Sequence, residues 1–515
     1  MRLRLFLLPF LLTFSAAASD SGVEFSGDHR AVFSVPAVRS HDEYSGNIKS
    51  PRLENDFSLL AENSTVTLYA GLRVTSQLYP KTEDETVLFS PLENTLSLEG
   101  DMFQTSLGFQ YYSWGSADKL NPTDLLNPRD YTTGPDAEKM SLFSASLKLY
   151  PTDRLSFVGV YAPYDQPDRF PVQPEKKISP ALFSRSYIES ISLSQSGLVT
   201  ESKQIAGEKR VTVSDPTFTP SSFLAGGRLR YMGSFFDLAA SYVYDLDQYY
   251  TPEIEVTPYA LIDENTSVDP LLPPEQLSVL PSQAYGLKEI TLTRRRIHRI
   301  GMDAKAVVDR YGFWGEACLS LTDQKDGENK YASLGHQLDW TAGFDFSYGS
   351  FDQHYVNLQQ IGRYIFDYDD DFSASYPDGQ PSASDLANRQ AMEDYYYRLL
   401  TNRLAYATEG LLVGGAVKAE WSFLDGNVKP SLEGVYVYPF SYDDAQGKRY
   451  GDLIGKAQVT WRAADAAQIS FGTQGYYSIL KPKGMDEICN ETENRVGMYF
   501  PDSRVFLEGT FSWIR

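Results

Sequence analysis

Cysteine is nearly absent. Cys318 and Cys489 are the two in 515 residues, too few for a disulfide scaffold; one bridge and two free thiols are both open. Histidine is scarce as well: His29, His41, His298, His336 and His354 are scattered, too thinly for an imidazole metal cluster, and none stands in a recognisable nucleophile–base arrangement. No glycine-rich phosphate loop is present, so the chain offers no catalytic residue, no cofactor and no enzymatic reaction to assign. Positive charge is short too, with 46 Lys+Arg against 68 Asp+Glu and a net charge of −22. That balance argues against nucleic acid as a partner, because phosphate recognition needs a basic surface. After Ser15 no run approaches the roughly 18–20 apolar residues that a spanning helix needs, which excludes a helical membrane protein.

What is present starts at the N-terminus. Arg2 and Arg4 precede an apolar stretch from Leu5 to Phe14, and Ala16-Ala17-Ala18 follows as a small-residue cleavage site. This is the pattern of a secretory signal peptide over residues 1–18, and Pro9 breaks the stretch as a buried helix. The exported chain is then acidic, rich in Tyr (35) and Phe (29), and without a disulfide framework. Something other than covalent links must hold it together.

From residue 64 onward the dominant signal is alternation of period two, the signature of strands with two unlike faces. Phe103, Leu107, Phe109 and Tyr111 oppose Gln104, Ser106, Gln110 and Tyr112; Leu229 and Tyr231 oppose Arg228 and Arg230; Val459 and Trp461 oppose Lys456, Gln458, Thr460 and Arg462. The connections alternate too. Tight ones such as Glu99-Gly100-Asp101, Pro151-Thr152-Asp153 and Asp425-Gly426 take turns with long ones near 114–140, 162–222, 247–292, 362–404 and 480–503. Short turns on one side and long loops on the other describe an outer-membrane barrel. Sixteen candidate strands lie between 65 and 514, and two weaker segments, 23–35 and 53–61, bring the number to eighteen. The expected fold is therefore all-β, a transmembrane antiparallel β-barrel of 16–18 strands over 64–515, with 19–63 as an N-terminal segment that can contribute the first strands. An even number puts both chain ends on the short-turn side.

The stretch from Trp114 to Asp130 reads WGSADKLNPTDLLNPRD. With Tyr161–Pro171 (YAPYDQPDRFP) and the basic strand followed by Gly312–Asp323, it resembles a pattern shared by poorly characterised porin-like bacterial outer-membrane proteins, over about residues 100–325. The resemblance implies a channel in the outer membrane and no catalytic residues. Physically, the Asn-Pro and Pro-Arg-Asp units fix turns, because Pro sets φ while Asn and Asp bond back to the chain. Trp114, Asp118, Asn121, Asp124, Asn127, Arg129 and Asp130 are accordingly expected either to form a constriction inside the lumen or to brace a loop outside the pore.

Alternation aims Arg73, Arg228, Arg230, Arg295, Arg299 and Lys305 at the lumen, together with Asp237, Glu316, Asp339 and Asp345. These cations can form a basic ladder for anionic solutes or pair with the acids and brace the wall. Arg296 and His298 fall on the opposite face, which places them at or above the lipid headgroups, where a charge costs little. In the long loops, Asp367, Asp369, Asp370 and Asp371 can offer clustered oxygen ligands to Ca²⁺ or be a solvated acidic run, and 384–400 is expected to form a short helix started by Ser384 or Asp385.

The reading is a channel for passive diffusion of small hydrophilic solutes. A substrate-specific uptake channel and a plugged adhesin or structural barrel are the alternatives. Its expected partners are outer-membrane lipid, the β-barrel assembly machinery and the solutes; a homo-oligomer is left open.

Overall fold

The computed structural model describes residues 23–37, 52–62, 64–77, 87–117, 120–135, 137–214, 219–272, 283–324, 327–350, 353–368, 383–407, 410–439, 451–478, 496, 499 and 502–514. Residues 1–18, where the signal peptide is expected, lie outside them, as do Asp118, Asp369, Asp370 and Asp371.

The chain forms a closed antiparallel barrel of eighteen strands. In order these are β1 (Val23–Pro36), β2 (Arg52–Glu62), β3 (Val66–Gln77), β4 (Val87–Gly100), β5 (Phe103–Gln110), β6 (Leu142–Thr152), β7 (Leu155–Ala162), β8 (Leu224–Met232), β9 (Phe236–Leu246), β10 (Arg296–Val308), β11 (Tyr311–Thr322), β12 (Gln337–Tyr348), β13 (His354–Ile365), β14 (Leu411–Glu420), β15 (Val428–Pro439), β16 (Asp452–Ala464), β17 (Ala467–Ser478) and β18 (Arg504–Ile514). Each pairs with its neighbour in sequence, and β18 closes on β1 from Ser26↔Ile514 to Pro36↔Arg504. All sixteen expected strands are there, and the two weaker segments are β1 and β2, so the barrel begins inside 19–63. Tight turns collect on one rim with both ends of the barrel, and long connections on the other.

The period-two pattern becomes a difference between two surfaces. Outward rows are apolar and bare, with Met302 64% and Phe471 59% exposed. Inward rows are polar and covered, with Asp303 8% and Glu316 4% exposed. No helix among the described residues is long and apolar enough to cross a membrane; the strands provide the apolar belt. At the long-loop rim the outward row changes character. The Arg296 guanidinium lies between the rings of Phe223 and Tyr244, 4.6 and 4.8 Å from their centroids, and Tyr242 Oη is 2.7 Å from His298 Nδ1.

The long connections are more ordered than their composition suggests. Arg185–Ser194 and Gly197–Ile205 form a hairpin, and Thr251–Ala260 pairs with Gln283–Thr293. A helix spans Arg389–Ala405, started by Asn388, whose side chain accepts from the amides of Gln390 and Ala391. The expected start at Ser384 or Asp385 is thus corrected: those residues sit in a separate four-residue helix, Ala383–Leu386. The helix ends at Ala405, and β14 begins at Leu411. Met392, Tyr396, Leu400 and Leu404, spaced by four on one helix face, pack on Val256, Leu287, Ile290, Leu292, Ile178 and Phe183. This second core lies wholly in loop residues and joins three long connections into one cap.

An arginine in place of Met302, at the centre of β10 and outward, is expected to lower stability by about 2–4 kcal/mol. Lys305→Arg on the inward row of the same strand is expected to change it little. Denaturant titration of the barrel folded in lipid vesicles measures both.

Candidate functional site

Residues 111–141 connect β5 to β6, and turn chemistry shapes them first. Asn127 binds both legs of the loop: its Nδ2 donates to the carbonyls of Gln110 (2.9 Å) and Met140 (2.9 Å), and its Oδ1 accepts from the Tyr112 amide at 2.6 Å. Asn121 Nδ2 donates to the Trp114 carbonyl at 2.8 Å. Gly115 adopts φ +89°, and a Cβ there would come within 2.3 Å of Asn121 Oδ1. Asp124 takes Arg129 at 2.8 Å and Lys139 at 2.7 Å. Asp130 caps the next turn, accepting from the Thr132 amide at 3.0 Å.

This braced loop lies inside the barrel and reaches opposite walls. At one end, Glu316 on β11 accepts from the amides of Ser116, Ala117 (2.6 Å) and Thr123 (3.4 Å) and from the Thr123 hydroxyl (2.9 Å). Gln359 on β13 donates to the Leu120 carbonyl at 2.6 Å. At the other end, Glu138 meets Arg73 of β3 at 2.6 Å and Arg30 of β1 at 3.8 Å. In a ring of eighteen strands, β11 and β13 stand across from β1 and β3, so the loop is a strap over the whole lumen.

The wall is shaped to receive it. Trp114 and Leu126 are buried against the inward Leu142, Val160, Leu224 and Val243. Where the strap presses closest, the wall residues are small. A Cβ on Gly226 would come within 3.2 Å of Leu126, and one on Gly301 within 3.2 Å of Thr123 and 2.4 Å of the Ser241 hydroxyl.

Other long loops lock onto the strap from the rim side. Asp168 accepts from the Arg129 amide at 2.7 Å, and Arg169 pairs with Asp130 at 3.6 Å. Asp165 pairs with Arg294, both fully buried. Tyr499 Oη donates to the Tyr131 carbonyl at 2.5 Å. Burial pushes the Asp168 carboxyl up to about 6, despite the opposing hydrogen bond from Arg129 and the nearby Arg294 and Arg299 charges.

Under the strap, toward the turn rim, lies a polar cavity of about 490 Å³, walled by β8–β10 and the underside of the strap. Arg228 binds both Asp303 oxygens (2.9 and 2.8 Å), and Arg230 binds Asp237 at 2.7 Å. Lys305 also lines the cavity, with no carboxylate at ion-pair distance among the described residues.

The remaining candidates fall as follows. Arg73 binds Asp56 through two bonds of 2.8 and 2.9 Å, beside Glu138. Arg299 lies 3.5 Å from Asp245, and Asp339 pairs with Arg363 at 2.7 Å. Arg295 stands above the start of β10 and pairs with Glu328 of the next loop. Asp345 packs over Gly312. Among the described residues Glu316 meets no arginine; the strap's amides and the Thr123 hydroxyl occupy it. Asp367 is in a turn after β13. The structure thus brings together Arg228, Arg230, Lys305, Asp237, Asp124 and Arg129, whereas Arg73, Asp339 and Asp345 lie elsewhere on the wall. Sequence reasoning missed Glu138, Lys139, Asp165 and Asp168. Asp165 and Asp168 were within its reach, since YDQPD carries two acids between turn-forming prolines.

No family model matches the chain, and no curated protein matches it in sequence. Among the solved structures similar to it in backbone course are the following three. OccAB4 of Acinetobacter baumannii is 8% identical with a TM-score of 0.46, over 96% of this chain and 97% of that one. The outer-membrane protein OpdK of Pseudomonas aeruginosa is 6% identical with a TM-score of 0.47, over 96% and 99%. Wzi of Escherichia coli, an outer-membrane protein involved in group 1 capsule assembly and a carbohydrate-binding β-barrel, is 10% identical with a TM-score of 0.42, over 98% and 87%.

Two outcomes test this geometry. Glu316→Ala is expected to speed hydrogen exchange at the amides of Ser116, Ala117 and Thr123 by roughly 10- to 100-fold, the effect of losing one charged acceptor, with the rest of β11 unchanged. For Asp168 the folded carboxyl holds its proton more tightly than an unfolded one. Its contribution to stability is therefore full below about pH 4 and lost as the pH rises through about 6. Asp168→Asn should remove that part of the pH dependence, read from denaturation midpoints between pH 4 and 7.

Proposed function

We propose that this chain is an outer-membrane channel through which small hydrophilic solutes diffuse down their gradient. The observation that carries the reading is an apolar-outside, polar-inside barrel of eighteen strands whose lumen is narrowed by an internal strap but retains a polar cavity beneath it. A barrel of this size encloses water. The work it does is exclusion and steering, not reaction: the strap sets the size limit, and the lining charges set the preference. Export through a signal peptide cleaved near Ala18, insertion by the barrel assembly machinery and residence in the bacterial outer membrane belong to the same reading. So does kinship with the porin-like proteins that share the WGxADxxNPTDxxNPxD loop.

A second reading, a barrel closed at its loop side, is favoured by one specific observation. Three long connections share a hydrophobic core, one of them is tied to the strap through Asp168, and Tyr499 ties a fourth connection to it.

Planar-bilayer recording on the full chain separates the two. Steady single-channel conductance is expected, and deletion of 116–130 should raise it. A folded barrel that never conducts would mean the closed form; unchanged conductance after the deletion would mean that the strap does not set the narrowest point.

A further inference from the structure

We infer that the cavity beneath the strap is a binding site for a small oxyanion, a carboxylate or a phosphate, which makes the channel prefer anions although the chain as a whole is strongly acidic. The inference rests on the channel reading for its transport consequence, and on the cavity alone for binding.

Among the described residues, the lining cations are Arg129, Lys139, Arg228, Arg230 and Lys305, and the lining carboxylates are Asp124, Asp237 and Asp303. Two positive charges are thus left over. One excess arises at Asp124, whose single carboxylate serves both Arg129 (2.8 Å) and Lys139 (2.7 Å). The other is Lys305, an exposed inward ammonium. Asp237 stands opposite Lys305 in the β9–β10 register, but its carboxylate is held by Arg230 at 2.7 Å. The arginines facing the cavity are fixed by bonds to Asp303, Asp237 and Asp124, so they keep their position when the site is empty. Guanidinium groups held in this way present further N–H donors in a planar fork, the geometry that matches carboxylate and phosphate oxygens. The surroundings strengthen the effect, because the strap and the wall limit the water available to screen the charge.

The acid excess of the chain does not reach this place. The two carboxylates that anchor the strap to the wall are engaged: Glu316 with the strap amides and Glu138 with Arg73 and Arg30. An anion that reaches the cavity therefore meets a net positive lining of fixed donors and one uncommitted ammonium.

The test uses the full chain in planar bilayers under a KCl gradient. The reversal potential should show chloride preferred over potassium. Lys305→Gln should lower that preference and Lys305→Glu lower it roughly five-fold or more, the effect of one charge acting at short range in water; Lys305→Arg should retain it. Lys203→Glu, exposed on the outer hairpin, should leave it unchanged. Potassium acetate and potassium phosphate, added separately, should each reduce the chloride current in the parent and less so in Lys305→Gln. Block by acetate alone assigns a carboxylate site, and block by phosphate alone a phosphate site. A conducting barrel that prefers potassium, or one blocked by neither salt, overturns the inference and leaves the channel reading standing. If the folded barrel does not conduct, the channel reading fails, and calorimetric titration of the detergent-solubilised chain with acetate and with phosphate decides the site. Heat that disappears in Lys305→Glu supports it, and absence of heat overturns it.

Discussion

Closure of the hydrogen-bonded ladder is the constraint on which the rest depends. A sheet edge left open in hydrocarbon exposes backbone donors and acceptors at a cost of several kcal/mol each, so β1 must find β18. It does so over eleven residue pairs, Ser26↔Ile514 to Pro36↔Arg504. This also explains why the first two strands were faint in the sequence. Their outward rows carry His29 and Asn55, polar residues where alternation calls for apolar ones. In the folded wall these satisfy each other and their neighbour: His29 Nδ1 lies 2.9 Å from Asn55 Oδ1, and Trp513 Nε1 donates to His29 Nε2 at 3.0 Å. The closing seam thus holds a polar chain that pattern reading registers only as noise.

Closure fixes the wall, and the wall then fixes the strap. An eighteen-strand ring is too wide for its own side chains to fill, so inward rows need not be bulky. Gly226, Ser241 and Gly301 are small at the places where Leu126 and Thr123 arrive. The strap in turn brings little structure of its own beyond a two-residue β-pairing, Arg129–Asp130 with Glu138–Lys139, and one 3-10 turn, Tyr131–Thr133. Its backbone polar groups are met by Asn and Asp side chains from within and by Glu316 and Gln359 from the wall. Turn residues set its shape, and inward carboxylate and amide groups hold it in place. Neither half is complete alone, which is why the strap and the inward face of β8–β11 are best regarded as one unit.

That division shows what could be read from the chain. Strand identity and number follow from local alternation and were legible almost throughout. The strap was legible as a rigid loop, because Asn-Pro and Pro-Arg-Asp fix turns locally, but its direction was not. Inward placement depends on contacts spanning some 200 residues, such as Ser116 to Glu316, and no local pattern encodes them. Partner choice was illegible for the same reason. Alternation places Asp237, Asp303 and Glu316 on one surface without saying that Arg228 takes Asp303 while Glu316 takes amides. The cap was missed differently: its strands carry Pro252, Pro258 and Gly286 within them and bury one face on a helix rather than on lipid, so the wall's alternation of greasy and wet rows does not apply to them.

Net charge loses its predictive value once these placements are known. A chain at −22 would suggest a negative pore if its charges were spread evenly. In the barrel the outward rows hold almost none, and many of the inward carboxylates are spent on holding cations or amides: Asp56 on Arg73, Asp339 on Arg363, Glu316 on the strap. In the cavity beneath the strap, the described lining holds two carboxylates fewer than cations. A few groups lining this cavity act over ångströms, whereas loop charges beyond a Debye length of about 8–10 Å are largely screened. Local pairing, not the total, therefore sets the sign of the field inside the barrel.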